Sequence, residues 1–386
     1  MIHRFITSTI QRLAQGFPVL VLTGPRQSGK TTLVRDTFPE KPYISLENPD
    51  TRLFATEDPR GFLGRYPDGA IFDEVQRVPE LLSYIQGIVD EHRTPGRYIL
   101  TGSQNFTLSR QVNQSLAGRA GIAQLLPLSG AELMAEGLLT AGLDDLLFVG
   151  GYPALRSTAV TPSDWFASYV ATYLERDVRD LTSVRDLITF QRFLRLCAAR
   201  TGQLLNLASL ATDCGIAQST ATAWLSILEA SYIVFRLTPH FANFGKRLIK
   251  APKLYFHDTG LASFLLGIQT PEQLATHAAR GALFETMVVA EYLCARLNRG
   301  DVSNLYFWRD SSGNEVDLLL DEAGILHPVE IKSGQTVAGD MFKSLKKWQV
   351  IAESTVEPRL IFGGEGTYIR SGVHVAGWRE MFNGIV

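Results

Sequence analysis

The sequence predicts an α/β protein of more than one domain, led by a mostly parallel sheet. Three observations support this. The 386 residues are 45% hydrophobic and 20% charged, ordinary globular material for two or three cores at roughly 150 residues each. Residues 18–130 alternate short apolar runs with helical patterns, the signature of βαβ units. Beyond about residue 200 the pattern changes twice, first to two close helices and a strand pair, then to a long helix feeding several strands.

The first strands are PVLVLT from Pro18, YISLE from Tyr43, AIFDE from Ala70, YILTG from Tyr98 and IAQLLPL from Ile122. PELLSYIQGIVDEH is an amphipathic helix with Pro79 in its first turn. From Leu133 to about Arg200 helical periodicity takes over, and Gly150-Gly151 marks a turn between two small helical units. LLNLASLATDCG and IAQSTATAWLSILEAS read as helix, turn, helix. YIVFRL and KLYFH follow as two strands around a basic connection, which completes a winged helix-turn-helix pattern. A helix from Gly281, GALFETMVVAEYLCARL, then leads into YFWRD, EVDLLL and LHPVEIK. The expected segments are 1–135 (parallel-sheet core), 136–200 (helical lid or connector), 201–275 (winged helix) and 276–386 (a second α/β domain).

Composition excludes several classes. Lys plus Arg is 37 against 39 for Asp plus Glu, a net charge of -2. Any nucleic-acid contact therefore needs a local basic patch. Cys197, Cys214 and Cys294 form no CxxC pair, which argues against a zinc site or disulfide framework and fits a reducing compartment. No apolar run approaches the roughly 18 residues of a membrane span, and MIHRFITSTIQRLA has no apolar leader core. The expectation is a cytoplasmic protein without membrane contact.

The chemistry begins at Gly24-Pro25-Arg26-Gln27-Ser28-Gly29-Lys30-Thr31, followed by Thr32. This matches GxxxxGK[ST] between a predicted strand and helix, where backbone N–H groups cradle phosphates. Lys30 adds a charge near the β- and γ-phosphates, and the helix N-terminus favours an anion. Thr31 supplies a hydroxyl for Mg²⁺. Asp73 and Glu74 end the strand AIFDE; Asp73 suits the Mg²⁺ site and Glu74 the general base that prepares water. Thr101-Gly102-Ser103-Gln104 closes the next strand at the carboxyl edge, where α/β ligands sit, so Gln104 is a candidate contact for the γ-phosphate or its water. Arg119, in SLAGRAG, is a candidate finger acting across a subunit boundary.

With GPRQSGKTT, IFDEVQ and LTGSQ standing in order, residues 18–130 resemble the ATPase core of the AAA+ class, a P-loop NTPase fold. GGYPA, YLERD and VEIKSG extend the resemblance, over nearly the full length, to prokaryotic proteins that join such a core to a C-terminal DUF4143 domain. The resemblance implies ATP as ligand, slow hydrolysis and a homo-oligomer.

Two further constellations concern nucleic acid. The second helix of the winged-helix pattern, from about Ala217 to Glu229, exposes Gln218, Ser219, Thr220 and Thr222, and Lys246, Arg247, Lys250 and Lys253 follow in a stretch free of acids. That cluster suits phosphate contact by a wing. In the C-terminal segment, Val316, Leu318 and Leu320 alternate inward and leave Asp317 on the other face. Glu330 and Lys332, two apart on a strand, share a face. Asp317, Glu330 and Lys332, with helical Glu285, spell a pattern that resembles the PD-(D/E)xK nuclease core, a restriction-endonuclease-like fold. There two carboxylates hold Mg²⁺ and the metal with Lys332 activates water against a phosphodiester.

The sequence thus reads as an ATPase using ATP and Mg²⁺, with Lys30, Thr31, Asp73 and Glu74 at its centre, coupled to nucleic acid, most simply DNA. The competing reading is a nucleotide-dependent assembly switch with a silent nuclease-like domain.

Overall fold

The computed structural model describes residues 2–103, 116–174, 186–240 and 250–385. Gln104, Lys246 and Arg247 lie outside the described residues. The chain forms two compact units. The first takes Met1–Leu128, Leu228–Ile233 and Arg296–Asp301; the second takes Ser129–Ile227, Val234–Ala295 and Val302–Val386.

The first unit is built on five parallel strands, β1 (Val19–Thr23), β2 (Tyr43–Ser45), β3 (Ala70–Asp73), β4 (Tyr98–Gly102) and β5 (Ala120–Gln124), in the order β2-β3-β4-β1-β5. β1 is apolar on both faces because a central parallel strand is covered on both. Val19 and Val21 face one core with Phe72 and Tyr98, while Leu20 and Leu22 face another with Ile71 and Ile99. Helix α1 (Thr7–Gly16) lays Ile10 and Ala14 on the second core. Helix α2 (Lys30–Thr37) follows β1, and α3 (Leu81–Glu91) buries Leu82, Ile85 and Val89 on the first core. Pro79 precedes α3 instead of sitting in its first turn. β5 starts two residues earlier than the apolar run from Ile122 suggests and ends at Gln124.

The strand order positions the site. β4 inserts between β1 and β3, with Thr23 level with Gly102. The loops after β1, β4 and β3 therefore emerge side by side at one carboxyl edge, the usual ligand edge of such sheets.

In the second unit, α4 (Leu143–Val149) ends at Gly150, as the Gly150-Gly151 turn requires. Then come α5 (Leu187–Ala198), β6 (Gln203–Leu204), α6 (Leu207–Cys214), α7 (Gln218–Ala230, of which Leu228 onward counts with the first unit), β7 (Val234–Pro239) and β8 (Lys253–Phe256). β8 pairs antiparallel with both β7 and β6, giving the element order of the expected winged-helix segment. That ladder does not stand alone. β7 continues, parallel, onto β9 (Leu305–Arg309), and the sheet runs on through β10 (Glu315–Glu322), β11 (Ile325–Lys332), β12 (Arg359–Phe362), β14 (Val373–Gly377) and β13 (Thr367–Arg370). One mixed nine-stranded sheet crosses the boundary read near residue 275. Helix α8 (Arg280–Arg299) carries Glu285, and α9 (Lys343–Ile351) covers the C-terminal core through Leu345 and Trp348.

β10 departs from simple alternation. Its register against β9 shifts between Val316 and Leu319, so Val316 and Leu319 share the core with Trp308 and Trp348. The expected inward set Val316, Leu318, Leu320 is corrected accordingly: a bulge inserts one residue and reverses the facing beyond it.

Candidate functional site

Gly24 opens the phosphate loop at φ 153°, and a Cβ there would stand 2.0 Å from the Leu125 carbonyl oxygen, so only glycine fits. Gly29 precedes α2 at φ 92° without a side-chain cap, and the amino end of a helix favours an anion. Lys30 is buried and its Nζ donates to the Gly24 and Pro25 carbonyls at 2.9 and 2.7 Å, which folds it back over the loop. Arg26 pairs with Glu47 at 3.6 Å, and Gln27 sits at φ 64°. Ser28 Oγ is buried with no hydrogen-bond partner among the described residues.

Strands β1 and β3 bring the two sequence motifs into contact. Thr31 Oγ1 donates to Asp73 Oδ2 at 2.9 Å. Asp73 also accepts from the Tyr43 hydroxyl at 2.6 Å and from the Thr101 hydroxyl. Burial, with this bond and the Asp73 charge behind it, pushes the Tyr43 hydroxyl pKa up and keeps it a donor. Glu74 is buried in a left-handed conformation, φ 58° and ψ 47°, which costs a non-glycine residue about 1–3 kcal/mol and clusters at functional sites. Its Oε2 accepts from Ser103 Oγ at 3.0 Å and from the Gln76 amide. Of the segment ending β4, Thr101 thus serves Asp73 and Ser103 serves Glu74. Tyr43 and Gln76 have no assignment from the sequence, and Thr101 and Ser103 stand there only within the polar strand end Thr101–Gln104, because which acid each meets depends on strand order.

Arg119 is placed elsewhere. Its carbonyl accepts from Val19 N at 3.2 Å, at the amino end of β1 and opposite the phosphate loop. Its guanidinium grips Asp90 through two nitrogens and reaches the Ala117 carbonyl at 2.9 Å. The guanidinium is thus paired with Asp90 of the same chain, at a partly exposed position.

The second unit gathers Glu285, Asp317, Glu330 and Lys332, and adds Glu315, Lys253 and Tyr255. Lys332 Nζ lies 3.2 Å from Asp317 Oδ2 and 2.6 Å from Glu330 Oε1. Asp317 Oδ2 also accepts from Ile331 N at 2.8 Å. One carboxylate oxygen from each of Glu285, Glu315 and Asp317 lies within 4.8 Å of the others. Lys253 Nζ enters from β8, 2.8 Å from Glu285 and in contact with Glu315, and the Tyr255 hydroxyl donates to Glu285 at 2.6 Å. Burial opposes charge on Lys253, but Glu285, Asp317 and Glu315 outweigh it and raise its pKa. Burial, then the Asp317 charge, pushes Glu330 up to about 8 against the pull of Lys332. Glu330 Oε2 has no hydrogen-bond partner among the described residues.

Lys253 therefore is not a nucleic-acid contact. It is 2% exposed, and its charge belongs to this ion-pair centre. Lys250 is exposed, as are Gln218, Ser219 and Thr222 of α7, with Thr220 half-buried.

A parallel sheet whose first strand opens into GPRQSGKT, with Asp73 meeting Thr31, defines a P-loop domain for ATPase-type nucleotide binding. Residues 16–134 match the family described as AAA domain. Residues 280–379 match a domain of unknown function, DUF4143, and residues 140–272 another, DUF8612. The chain belongs to the family that joins this AAA domain to a C-terminal DUF4143 domain. Its relatives include the uncharacterized proteins Mb2031c of Mycobacterium bovis and Rv2008c of Mycobacterium tuberculosis. Each is 35% identical over 365 residues, 92% of this chain and 80% of theirs. Among solved structures, the Walker-type ATPase PABY2304 of Pyrococcus abyssi shares 17% identity over 67% of this chain and 94% of its own, at a TM-score of 0.46. The ORC2 protein of Aeropyrum pernix in its ADP form shares 17% over 60% and 85%, at 0.33. Among the described residues no helix is long and apolar enough to cross a membrane.

Proposed function

We propose that the protein is a Mg²⁺-dependent ATPase, homo-oligomeric and cytoplasmic, whose cycle acts on nucleic acid. The observation that carries the hydrolytic reading is the meeting of the two motifs, with Thr31 on Asp73 at 2.9 Å and Glu74 held beside them by Ser103. Two hard oxygen donors at that spacing fit Mg²⁺, and the buried Ser28 hydroxyl without a partner is a polar atom left for a ligand.

In this reading Lys30 leaves the Gly24 and Pro25 carbonyls for the β- and γ-phosphates, and the loop N–H groups hold the rest of the triphosphate. Thr31 and Asp73 hold the metal, which when bound offsets charge on the phosphate oxygens. Glu74 takes the proton of the attacking water, and ADP and phosphate leave. Ser103 and Gln76 orient that carboxylate. The nucleic-acid part rests on the polar exposed face of α7 and on Lys250, with Lys246 and Arg247 assigned from sequence. The cytoplasmic placement rests on three buried cysteines that stand outside any disulfide, Cys197, Cys214 and Cys294.

A second reading keeps the nucleotide cycle but makes it a switch with a silent C-terminal centre. Lys253 favours it, because an ammonium already pairs with the carboxylates that would bind metal. ATP turnover measured with and without single-stranded, duplex and branched DNA and RNA separates the two. The nucleic-acid reading requires a several-fold rise with at least one nucleic acid; turnover near zero, with only oligomer size following nucleotide, selects the switch.

A further inference from the structure

Tyr232 occupies a position that its backbone disfavours. Helix α7 closes with two hydrogen bonds, Ile233 N to Leu228 O at 2.9 Å and Tyr232 N to Glu229 O at 3.1 Å, the Schellman pattern whose cap residue is left-handed. Tyr232 is that residue, at φ 57°. Among the described residues, four other helices close with the same bond pair, and each places glycine there: Gly137, Gly215, Gly267 and Gly300, all between φ 67° and 80°; α9 is followed by Glu353 at φ 47°, with the longer bond, Ser354 N to Gln349 O. A bulky residue in this conformation is an outlier. The side chain, not the turn, is therefore the reason for a tyrosine.

That side chain is 3% exposed and ends on the nucleotide loop's root. The Tyr232 hydroxyl lies 2.6 Å from Thr23 Oγ1. Thr23 is the last residue of β1, directly before Gly24, and its hydroxyl also lies 3.4 Å from the Ala123 carbonyl on β5. Its own carbonyl accepts from Leu125 N at 2.8 Å, and Leu125 is the residue against which Gly24 is packed. The start of the phosphate loop is thus fixed by β5 on one side and by Tyr232 on the other.

We infer that Tyr232 is a positioning residue for nucleotide binding: through Thr23 it holds the entrance of the phosphate loop in the shape that receives a triphosphate. It touches neither phosphate nor metal. A loop held in its binding shape loses less freedom when the ligand arrives, so affinity rises without a new contact. The assignment rests on the nucleotide reading of the loop.

The test compares wild type, Tyr232→Phe, Thr23→Val and the double variant for ATP and ADP binding by calorimetry, with thermal unfolding alongside. Tyr232→Phe keeps ring packing and removes one oxygen. It should bind ATP about two- to five-fold more weakly, with KM rising more than kcat falls, and the unfolding midpoint of the free protein should drop slightly, because the bond also serves the free fold. Thr23→Val should lose a similar factor and the double variant little more, because both remove the same bond. Tyr232→Gly should relieve the backbone while weakening ATP binding at least as much as Tyr232→Phe. Wild-type affinity in Tyr232→Phe, or fully multiplicative losses in the double variant, overturns the assignment. A wild type that binds no nucleotide at all overturns the nucleotide reading itself, so the two failures are distinct.

Discussion

Lys30 and Glu74 separate binding from chemistry. Lys30 is the one cation of the motif folded over the loop, so Lys30→Ala should abolish measurable ATP binding while leaving the unfolding midpoint close to wild type. Glu74→Gln keeps size, and its amide can still meet Ser103, but it cannot take a proton. It should retain ATP and lose turnover by about 10²–10⁴-fold. Equilibrium binding and steady-state hydrolysis on the same preparations check both, and full turnover in Glu74→Gln would make its left-handed backbone a structural feature only. These residues were legible because the loop is contiguous and its spacing is dictated by phosphate geometry. Lys253 was not. It follows a basic stretch and two residues later comes Tyr255, a pattern equally suited to a surface wing. Only the pairing of β8 with both β7 and β6 shows that it is interior. Glu315 was missed although a signal existed: it stands two residues before Asp317, the spacing that shares a strand face.

At the scale of elements, the parallel strands were readable because buried central strands are uninterrupted apolar runs between turn residues. The β10 bulge was not, since one inserted residue leaves no mark in an apolar run LLL. Residues 333–386 gave no element at all, and α9 and β12–β14 lie there. Asp258 shows how one such junction titrates. It caps the helix Thr259–Leu265 through Leu261 N at 2.8 Å and also accepts from Gly151 N at 2.7 Å. Burial nonetheless pushes its pKa up to about 6, against those two backbone bonds. A carboxyl with a raised folded pKa contributes stability that is full below its unfolded value near 4 and is lost as pH rises through about 6. Relative to Asp258→Asn, the wild type should therefore lose about 2 kcal/mol between pH 4 and pH 7. Denaturant unfolding of both proteins across that range reads the difference, and a pH-independent gap would mean the carboxyl is solvated.

For the molecule as a whole, the charge balance of the second centre bears on whether that centre does chemistry of its own. Glu285, Glu315, Asp317 and Glu330 face Lys253 and Lys332, two acids too many if all are ionised. Clustered carboxylates repel unless a cation or proton intervenes. A working nuclease would resolve this with a divalent ion on Glu285, Glu315 and Asp317, whose oxygens lie close enough to share one. Lys253 resolves part of it without metal, and a fold can persist after its chemistry is lost. That ammonium decides our expectation. Wild-type protein should leave supercoiled DNA intact in Mg²⁺ and in Mn²⁺. Asp317→Ala should change stability alone, by about 1–3 kcal/mol, because Ile331 N–H loses its acceptor, and its ATP turnover should equal that of the wild type. Metal-dependent nicking by the wild type that disappears in Asp317→Ala would reverse this, and would make Lys253 a residue that orders the metal ligands in place of a substitute for the metal.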